Sequence, residues 1–498
     1  MTTSASPVRV RMAPSPTGFF HVGSARTALY NYLFARHHNG TFVLRVEDTD
    51  MQRNAPEYEQ TIYDAMAWLG LKPDESPLVG GAYGPYRQSE RFDIYREYAD
   101  KLVAAGAAYP AYETTEELAA MKAEQQAQKL PPRYSGAHRD LSPEQRATFA
   151  AEGRQAVLRL RVPDGETTWD DVVRGNISWQ NKEIDDFVIM KSDGSPAYNF
   201  ACVVDDALMK ITHVIRGEDG ISNTPRQLIM YSLLGFEAPL FAHLPLLLGR
   251  DRSKLSKRHG PVSLLEYPAQ GVLPQAMFNY LALLGWNPGE GETQEIFSGE
   301  ELIEKFTLEN VNKSGAIFDV EKLAHINTEY LRSLPIAEFA ELAKLHLPPF
   351  ELDEYALRSL DLARERVRTV AESHDIVNAE GKKETVVKIT TDISGPTAYF
   401  LTDDFTPDEA GAAKHLNDIS LPRLRQLRER LAAMPEWNHD AIEQALRSLA
   451  EDLKIKPAEL IHPARMAVSG RTVGPSIFEL LDVLGRERVL RRLLRTAP

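Results

Sequence analysis

The sequence predicts an α/β fold: a doubly wound, largely parallel sheet, interrupted by an inserted α+β segment and followed by an all-α C-terminal half. Three observations predict this. Short apolar, strand-like runs alternate with helical periodicity from Val8 to about Gly249. Between Tyr109 and Ile184 the alternation gives way to charged, alanine-rich helical stretches and a few strand-like runs. Beyond about Pro335 the apolar spacing reads as helix. A chain of 498 residues exceeds what one core can organise, so roughly three to five compact units are expected.

Composition narrows the class. With 43% hydrophobic and 26% charged residues the chain reads as ordinary soluble globular material. Its single cysteine, Cys202, excludes a disulfide framework and any Cys-based zinc cluster within the chain. No apolar run approaches the length of a membrane span, and Met1 to Pro7 lacks the basic start and apolar core of a signal peptide. A cytoplasmic location is therefore expected. The net charge of −14 argues against wholesale nucleic-acid binding but permits a local basic face.

In chain order, Val8 to Met12 alternates as a short strand. Pro14, Pro16 and Gly18 break it, and after His21-Val22-Gly23-Ser24 a helix runs from Ala25 to His38, with Gly40 as its stop. A strand turning through His-x-Gly into a helix presents N–H groups and an imidazole where anions are favoured; it is equally an ordinary strand–loop–helix joint. Thr41 to Val46 is a second strand running into Glu47-Asp48-Thr49-Asp50. Carboxylates at that end of a strand lie where α/β sheets take ligands, or else form a solvated loop or helix cap. Pro56 to Leu69 is amphipathic, with Tyr58, Ile62, Met66 and Leu69 on one side, and Ser89 opens a helix reaching Ala105 and Gly106.

The inserted segment carries two capping boxes, Thr114/Glu117 and Ser142/Gln145, opening helices to Gln128 and Glu152 around the loop Leu130 to Gly136. Ala156 to Val162 and Thr167 to Trp179 predict strands of a separate mixed sheet. The first sheet then resumes through three strand-like runs, Asp186 to Lys191, Tyr198 to Val204 and Ile211 to Arg216. Thr224-Pro225-Arg226-Gln227 reads as a capping box for a helix ending near Gly235. After the strand-like Leu244 to Gly249, five cations fall within nine residues, Arg250 to Arg258. Such a run is either a solvated basic loop or a loop whose lysines reach nucleotide phosphates as point charges.

In the C-terminal half, Leu421 to Ala433, Asp440 to Leu453 and Ser476 to Leu494 are amphipathic, the last with Arg486, Arg488, Arg491 and Arg492 on its surface. Arg364, Arg366 and Arg368 form either an exposed charged helix face or an RNA contact, since arginine reads base edges as well as phosphates. Lys382 to Thr397 reads as an extra loop without an assigned role.

His21-x-Gly23 early and Lys254-Leu255-Ser256-Lys257-Arg258 late, on one interrupted α/β sheet, resemble the paired signatures of class I aminoacyl-tRNA synthetases. Arg11 to Gly18, Glu47 to Asp50, Tyr198 to Asp206 and Arg216-Gly217-Glu218-Asp219 follow in the order seen in glutamyl-tRNA synthetases. Glutaminyl relatives carry Pro-Glu-Pro where this chain has Pro14-Ser15-Pro16, and they end in β-barrels. The helical C-terminal half is similar to that of the bacterial glutamyl enzymes, and the truncated relatives that modify a tRNA base lack it.

The resemblance implies a Rossmann-like catalytic domain over 1–108 and 186–245, an acceptor-end-binding insertion at 109–185 and a stem-contact domain with the lysine-rich loop at 246–333. It implies helical anticodon-binding subdomains at 334–400 and 401–498. The implied activity is ATP-dependent activation of L-glutamate to glutamyl-adenylate and its transfer to the 3′ end of tRNA(Glu), releasing AMP and pyrophosphate. ATP arrives with Mg²⁺, which coordinates mainly phosphates and water. A monomer without zinc is expected, because Tyr109-Pro110-Ala111-Tyr112 lacks the cysteines with which some relatives hold that metal and His138 alone cannot replace them. Whether tRNA(Gln) is also a substrate stays open. Shorter adenylyltransferases share the His-x-Gly chemistry but lack the helical half; a catalytically decayed RNA-binding paralogue fits poorly with intact His21, Gly23, Lys254 and Lys257.

Because the nucleophilic carboxylate is already ionised, the chemistry calls for cations and N–H groups rather than a general base. By resemblance, His21, Gly23, Ser24, Asp219, Leu247, Lys254, Leu255, Ser256, Lys257 and Arg258 face ATP. Among them His21, Gly23, Lys254 and Lys257 are catalytic, with Gly23 leaving room for the adenine or ribose. Arg11, Tyr198 and Arg216 match the positions that hold the glutamate side chain, and Glu47 the one that holds the ammonium. Ala13 and Ser15 match minor contacts. Cys202 stands where some relatives have asparagine and reads as a small buried hydrophobe. A salt bridge from Arg216 to Glu218 or Asp219 is the alternative role for that arginine.

Overall fold

The computed structural model describes residues 7–50, 53–130, 133–253, 255, 263–289, 291–377 and 383–498. The chain divides into two compact units, one comprising Met1–Ala269, Pro274–Val320 and His374–Val387, the other Gln270–Leu273, Glu321–Ser373 and Lys388–Pro498.

In the first unit β1 (Arg9–Met12) leads through α1 (Val22–His37) to β2 (Thr41–Leu44), and the two strands pair in parallel from Arg9↔Thr41 to Met12↔Leu44. Buried Val22, Ala25, Ala28, Leu29 and Leu33 seat α1 deep in the core, as a crossover helix requires. Asn39 takes the left-handed turn after α1 (φ 50°). Gly40 serves close approach instead: a Cβ there would lie 2.4 Å from the Val8 carbonyl oxygen. Next come α2 (Pro56–Trp68), which buries Ile62 and Met66, and α3 (Phe92–Ala104), entered through a 3₁₀ turn at Gln88–Arg91.

The insertion supplies β3 (Ala108–Ala111), α4 (Thr115–Ala127), α5 (Pro143–Ala151), β4 (Val157–Leu160), β5 (Glu166–Asp171) and β6 (Gly175–Gln180). Both predicted capping boxes form. The separate sheet does not. β3 and β4 join β7 (Val188–Met190) in an antiparallel sheet, while the β5–β6 hairpin extends a parallel sheet of the first unit. There β8 (His213–Gly217) and β9 (Leu240–Leu244) pair in parallel, and β5 meets β9 at Asp171↔Phe241. β8 lies beside β1, with the Thr212 amide donating to the Arg9 carbonyl at 2.9 Å.

Tyr198 to Val204 is not a strand. It opens helix α6 (Tyr198–Leu208), whose continuation is hidden in sequence because Asp205 and Asp206 end the apolar run yet are both buried. Helix α7 (Thr224–Leu234) follows and ends at Gly235 (φ 67°), but without the predicted capping box. Its N-cap is Asn223, and the Thr224 hydroxyl bonds Arg216 and Gly220 instead. Beyond β9, the predicted Leu244 to Gly249 strand is reduced to β10 (Leu247–Leu248). Then come α8 (Pro274–Leu283), α9 (Gly299–Lys305) and β11 (Ala316–Ile317), which pairs with β10 in parallel.

The second unit begins with α10 (Val320–Ser333), α11 (Ile336–Lys344) and α12 (Glu354–Arg364). A two-stranded ribbon, β12 (Arg368–Val377) with β13 (Lys383–Asp392), then interrupts the helices, its described residues from His374 to Val387 belonging to the first unit. The supposed loop at Lys382 to Thr397 is therefore mostly strand β13 and the start of α13 (Ser394–Leu401); the β-branched Thr385-Val386-Val387 and Ile389-Thr390-Thr391 favour it. The remaining helices are α14 (Glu409–His415), α15 (Ser420–Ala432), α16 (His439–Asp452), α17 (Ala458–Ser469), α18 (Ile477–Leu484) and α19 (Arg486–Thr496). α15 to α19 share a core of Leu424, Leu427, Leu446, Leu480 and Leu493. Gly485 (φ 76°) splits the predicted Ser476 to Leu494 helix in two. Arg492 is buried rather than on the surface, its Nε donating to Asp403 at 2.8 Å.

Candidate active site

At the C-terminal ends of β1, β2 and β8 the first unit holds a cleft of about 590 Å³, the place where parallel sheets present ligand sites. Its walls include Arg11, Ala13, Ser15, His21, Gly23, Ser24, Glu47, Tyr198, Arg216, Asp219, Leu247 and Leu255. Residues far apart in sequence are held together by backbone contacts such as Glu47 N–H to Pro14 C=O, 3.0 Å.

One side of the cleft is an alternating chain of buried charges. Arg11 donates from Nε to Asp206 Oδ1 at 3.1 Å. Arg45, fully buried, donates to the same oxygen at 2.6 Å and from Nη2 to Glu47 Oε1 at 3.0 Å. Burial is the largest single influence and opposes the charge on both arginines, but the surrounding acidic groups, Asp206 for Arg11 and Asp206, Asp205 and Glu47 for Arg45, together raise both above their ordinary value. The same pairing holds the Asp206 carboxyl below its usual range against the effect of burial. Asp205, the next residue of α6, accepts from Gln88, Arg91 and Tyr95, so both carboxylates of the pair are satisfied. The consequence for the cleft is a surplus of donors: no protein group among the described residues bonds the Nη atoms of Arg11. Glu47 likewise uses only Oε1 for its bonds.

Cys202 does not line the cleft. Burial and nearby Glu47 push its thiol pKa well up, and the protonated Sγ donates to Glu47 Oε1 at 3.1 Å.

Arg216 stands on the other side, at the end of β8. Its Nη2 donates to Gly220 C=O (3.0 Å) and Thr224 Oγ1 (2.9 Å), and its Nε to His243 Nε2 (3.1 Å). Nη1 is buried with no hydrogen-bond partner among the described residues. No salt bridge to Glu218 or Asp219 forms: Glu218 pairs with Arg174, and Asp219 is exposed on the cleft wall. A Cβ on Gly217 would sit 2.6 Å from Asp219 Oδ1.

At the start of α1, His21 is the N-cap: its Nδ1 accepts the Ser24 amide at 3.1 Å, and its Nε2 lies 3.0 Å from Ser24 Oγ. A Cβ on Gly23 would lie 3.0 Å from both Cε1 and Nδ1 of His21. Gly23 therefore leaves room for the imidazole. Tyr198, 45% exposed, stands at the cleft mouth, while Leu247 and half-buried Leu255 close one end, the Leu255 amide bonding Leu247 C=O at 3.1 Å. Lys254, Ser256, Lys257 and Arg258 lie outside the described residues. The Glu47 to Asp50 cluster divides: Glu47 faces the cleft, Asp48 caps the segment before α3 through Ser89 N (2.8 Å) and Oγ (2.6 Å), and Asp50 pairs with exposed Arg53.

Comparison with known proteins matches this arrangement to a family. A family model described as tRNA synthetases class I (E and Q), catalytic domain, matches residues 7–325, and one described as an anticodon binding domain matches residues 383–497. The glutamate–tRNA ligase of Moorella thermoacetica is 48% identical over 503 residues, covering 98% of each chain. That of Symbiobacterium thermophilum is 46% identical over 490 residues, covering 98% of this chain and 99% of its own. The crystal structure of a glutamate tRNA ligase from Elizabethkingia meningosepticum, in complex with its amino acid, superposes with a TM-score of 0.86 at 34% identity over 99% of both chains. The chain belongs to the bacterial glutamate–tRNA ligase family. It is a class I aminoacyl-tRNA synthetase, and its activity is tRNA glutamylation.

Several groups at or behind the cleft walls have no motif that marks them in sequence. Arg45 and Asp206 look like residues at the ends of strand-like runs. His243 and Asp171 lie 72 residues apart, and nothing local joins them. Arg26, on the cleft wall, is buried, which lowers its pKa; it donates to Leu284 C=O and Pro245 C=O.

In the second unit, Arg364 ends α12 and is held by Asp361 (2.9 Å) and Leu334 C=O (2.5 Å). Arg366 and Arg368 are exposed, but on a turn and at the start of β12, not on one helix face. Among the described residues no group of three His, Cys, Asp or Glu side chains is placed to hold a metal ion. His138 Nδ1 accepts the Tyr112 amide at 3.0 Å. No described helix is long and apolar enough to cross a membrane.

Proposed function

We propose that the cleft binds ATP along the N-terminus of α1 and L-glutamate between Arg11, Arg216 and Glu47. The observation that carries this reading is the set of unused groups: Arg11 keeps its Nη donors, Arg216 keeps Nη1, and Glu47 keeps Oε2, all on one cleft. Two guanidinium groups match a side-chain carboxylate, whereas a neutral amide leaves buried charge unpaired, so glutamine is rejected. Tyr198 closes the same subsite, Glu47 takes the α-ammonium, Ala13 and Ser15 pack beside it, and Cys202 acts through Glu47.

In activation an α-carboxylate oxygen of glutamate bonds to the α-phosphorus of ATP, and the bond from that phosphorus to the bridging oxygen breaks, releasing pyrophosphate. Charge grows on phosphate oxygens, so His21, the amides near Gly23 and Ser24, and the cations Lys254 and Lys257 with Arg258 are the stabilising groups. Asp219, Leu247, Leu255 and Ser256 border the nucleotide. Mg²⁺ enters as part of the ATP complex. A terminal ribose hydroxyl of tRNA then attacks the activated carbonyl, forming the ester and releasing AMP.

In this reading residues 109–185 take the acceptor end, 246–333 the stem, and 334–400 with 401–498 the anticodon, with Arg364, Arg366 and Arg368 as contacts. The enzyme works as a zinc-free cytoplasmic monomer on tRNA(Glu). Charging purified tRNA(Glu) and tRNA(Gln) with labelled glutamate tests the assignment and decides whether tRNA(Gln) is a second substrate. Labelling of neither overturns it.

A further inference from the structure

The arginine assigned to the glutamate side chain is not free to choose its own orientation. Its Nε donates to His243 Nε2 at 3.1 Å, which requires a lone pair on that nitrogen and therefore a hydrogen on Nδ1. Asp171 provides for this. Its Oδ2 lies 2.5 Å from His243 Nδ1, and its Oδ1 accepts the amides of Val173 (3.1 Å), Arg174 (3.0 Å) and His243 itself (3.2 Å). Four N–H groups thus converge on one carboxylate that is almost wholly buried, and His243 is fully buried.

Burial lowers the His243 pKa and so favours the neutral ring. The His243 bond holds the Asp171 carboxyl below its ordinary value despite burial. The Phe241 ring lies parallel to His243 (interplanar 2°), with the Arg216 guanidinium 5.5 Å from the Phe241 centroid, so the arginine is also braced over an aromatic face. Sequence spacing gives no hint of the set, because Asp171 comes from the inserted hairpin and His243 from β9.

We infer that Asp171 and His243 are positioning residues for amino-acid selection: Asp171 fixes the tautomer of His243, and His243 fixes the guanidinium of Arg216 so that Nη1 is left for the substrate carboxylate. The inference rests on the reading of Arg216 as a glutamate ligand.

The decisive change is Asp171→Asn. The amide oxygen can keep the bonds to the backbone, but the NH₂ now donates to His243 Nδ1. The ring hydrogen moves to Nε2 and faces the Arg216 Nε–H, donor against donor. KM for glutamate and for ATP is measured in the charging reaction, together with thermal unfolding. In Asp171→Asn and in His243→Leu the glutamate KM rises about ten- to a hundredfold, the scale of one hydrogen bond to a charged group, while the ATP KM stays within about twofold. His243→Gln, whose side-chain oxygen can again accept from Nε, restores most of the loss.

Unchanged glutamate KM in folded Asp171→Asn overturns the inference, as does an equal rise in both KM values accompanied by a lower unfolding temperature. Should His243→Leu fail to fold, the isosteric Asp171→Asn decides alone. Arg216→Leu separates the two levels: no effect on glutamate KM there refutes the site reading itself, whereas an effect there but none at Asp171 and His243 refutes only the positioning role.

Discussion

Gly23→Ala separates catalysis from stability at a single methyl group. The added Cβ would lie 3.0 Å from Cε1 and Nδ1 of His21, where relaxed contacts begin near 3.4 Å, so the imidazole must move by roughly 0.4 Å. That movement stretches the 3.1 Å bond from the Ser24 amide to Nδ1, the cap of α1. Losing a cap costs about 1 kcal/mol. Replacing glycine by alanine inside a helix returns about 0.5–1 kcal/mol, and φ at this position is ordinary. The folded state should therefore change by less than about 1 kcal/mol. Catalysis has no such offset: misplacing a group by about 1 Å costs up to about a hundredfold, so a shift of this size predicts a fall of about tenfold in the activation rate. Rapid-quench measurement of adenylate formation, beside a denaturant melt, checks both halves. A wild-type rate in the folded variant refutes the role given to the His21 imidazole.

Arg45→Met leaves Asp206 and Glu47 without their shared buried cation and should destabilise the first unit by about 3–5 kcal/mol, seen as an earlier urea transition. His213, whose pKa is pushed down to about 4 by burial and by His38, stays neutral in the fold while the unfolded chain protonates near 6.5. Its contribution is complete above pH 6.5 and is lost as pH falls toward 4. After allowance for partial exposure the loss is about 1–2 kcal/mol, and His213→Gln should flatten the stability profile over that window. Lys257→Ala should slow activation by about two to three orders of magnitude, as removal of one preorganised charge does, with near wild-type charging as the contrary result.

Much of the local structure was legible in local chemistry, although the capping box read at Thr224 to Gln227 does not form. Thr114/Glu117 and Ser142/Gln145 form the capping boxes their spacing predicts, and Gly235 ends its helix. Short apolar runs did not report their period: Tyr198 to Val204 reads as a strand but opens a helix, which continues through buried Asp205 and Asp206. Strand partnership was also out of reach, since the β5–β6 hairpin finds β9 some seventy residues downstream. At the site, the residues proposed to hold substrate sit in recognisable motifs. The groups that orient them, Arg45, Asp206, His243 and Asp171, act through three-dimensional neighbours and leave no spacing to read.

Selection of glutamate by paired arginines is tested most directly by offering the wild-type ligase labelled glutamate or labelled glutamine, with ATP and tRNA(Glu), and measuring aminoacyl ester at the tRNA 3′ end. Glutamate should be esterified and glutamine excluded by at least about 10⁴-fold, with Arg216→Leu losing glutamate charging. Glutamine esterified at a comparable rate, or glutamate charging indifferent to Arg216, would contradict it.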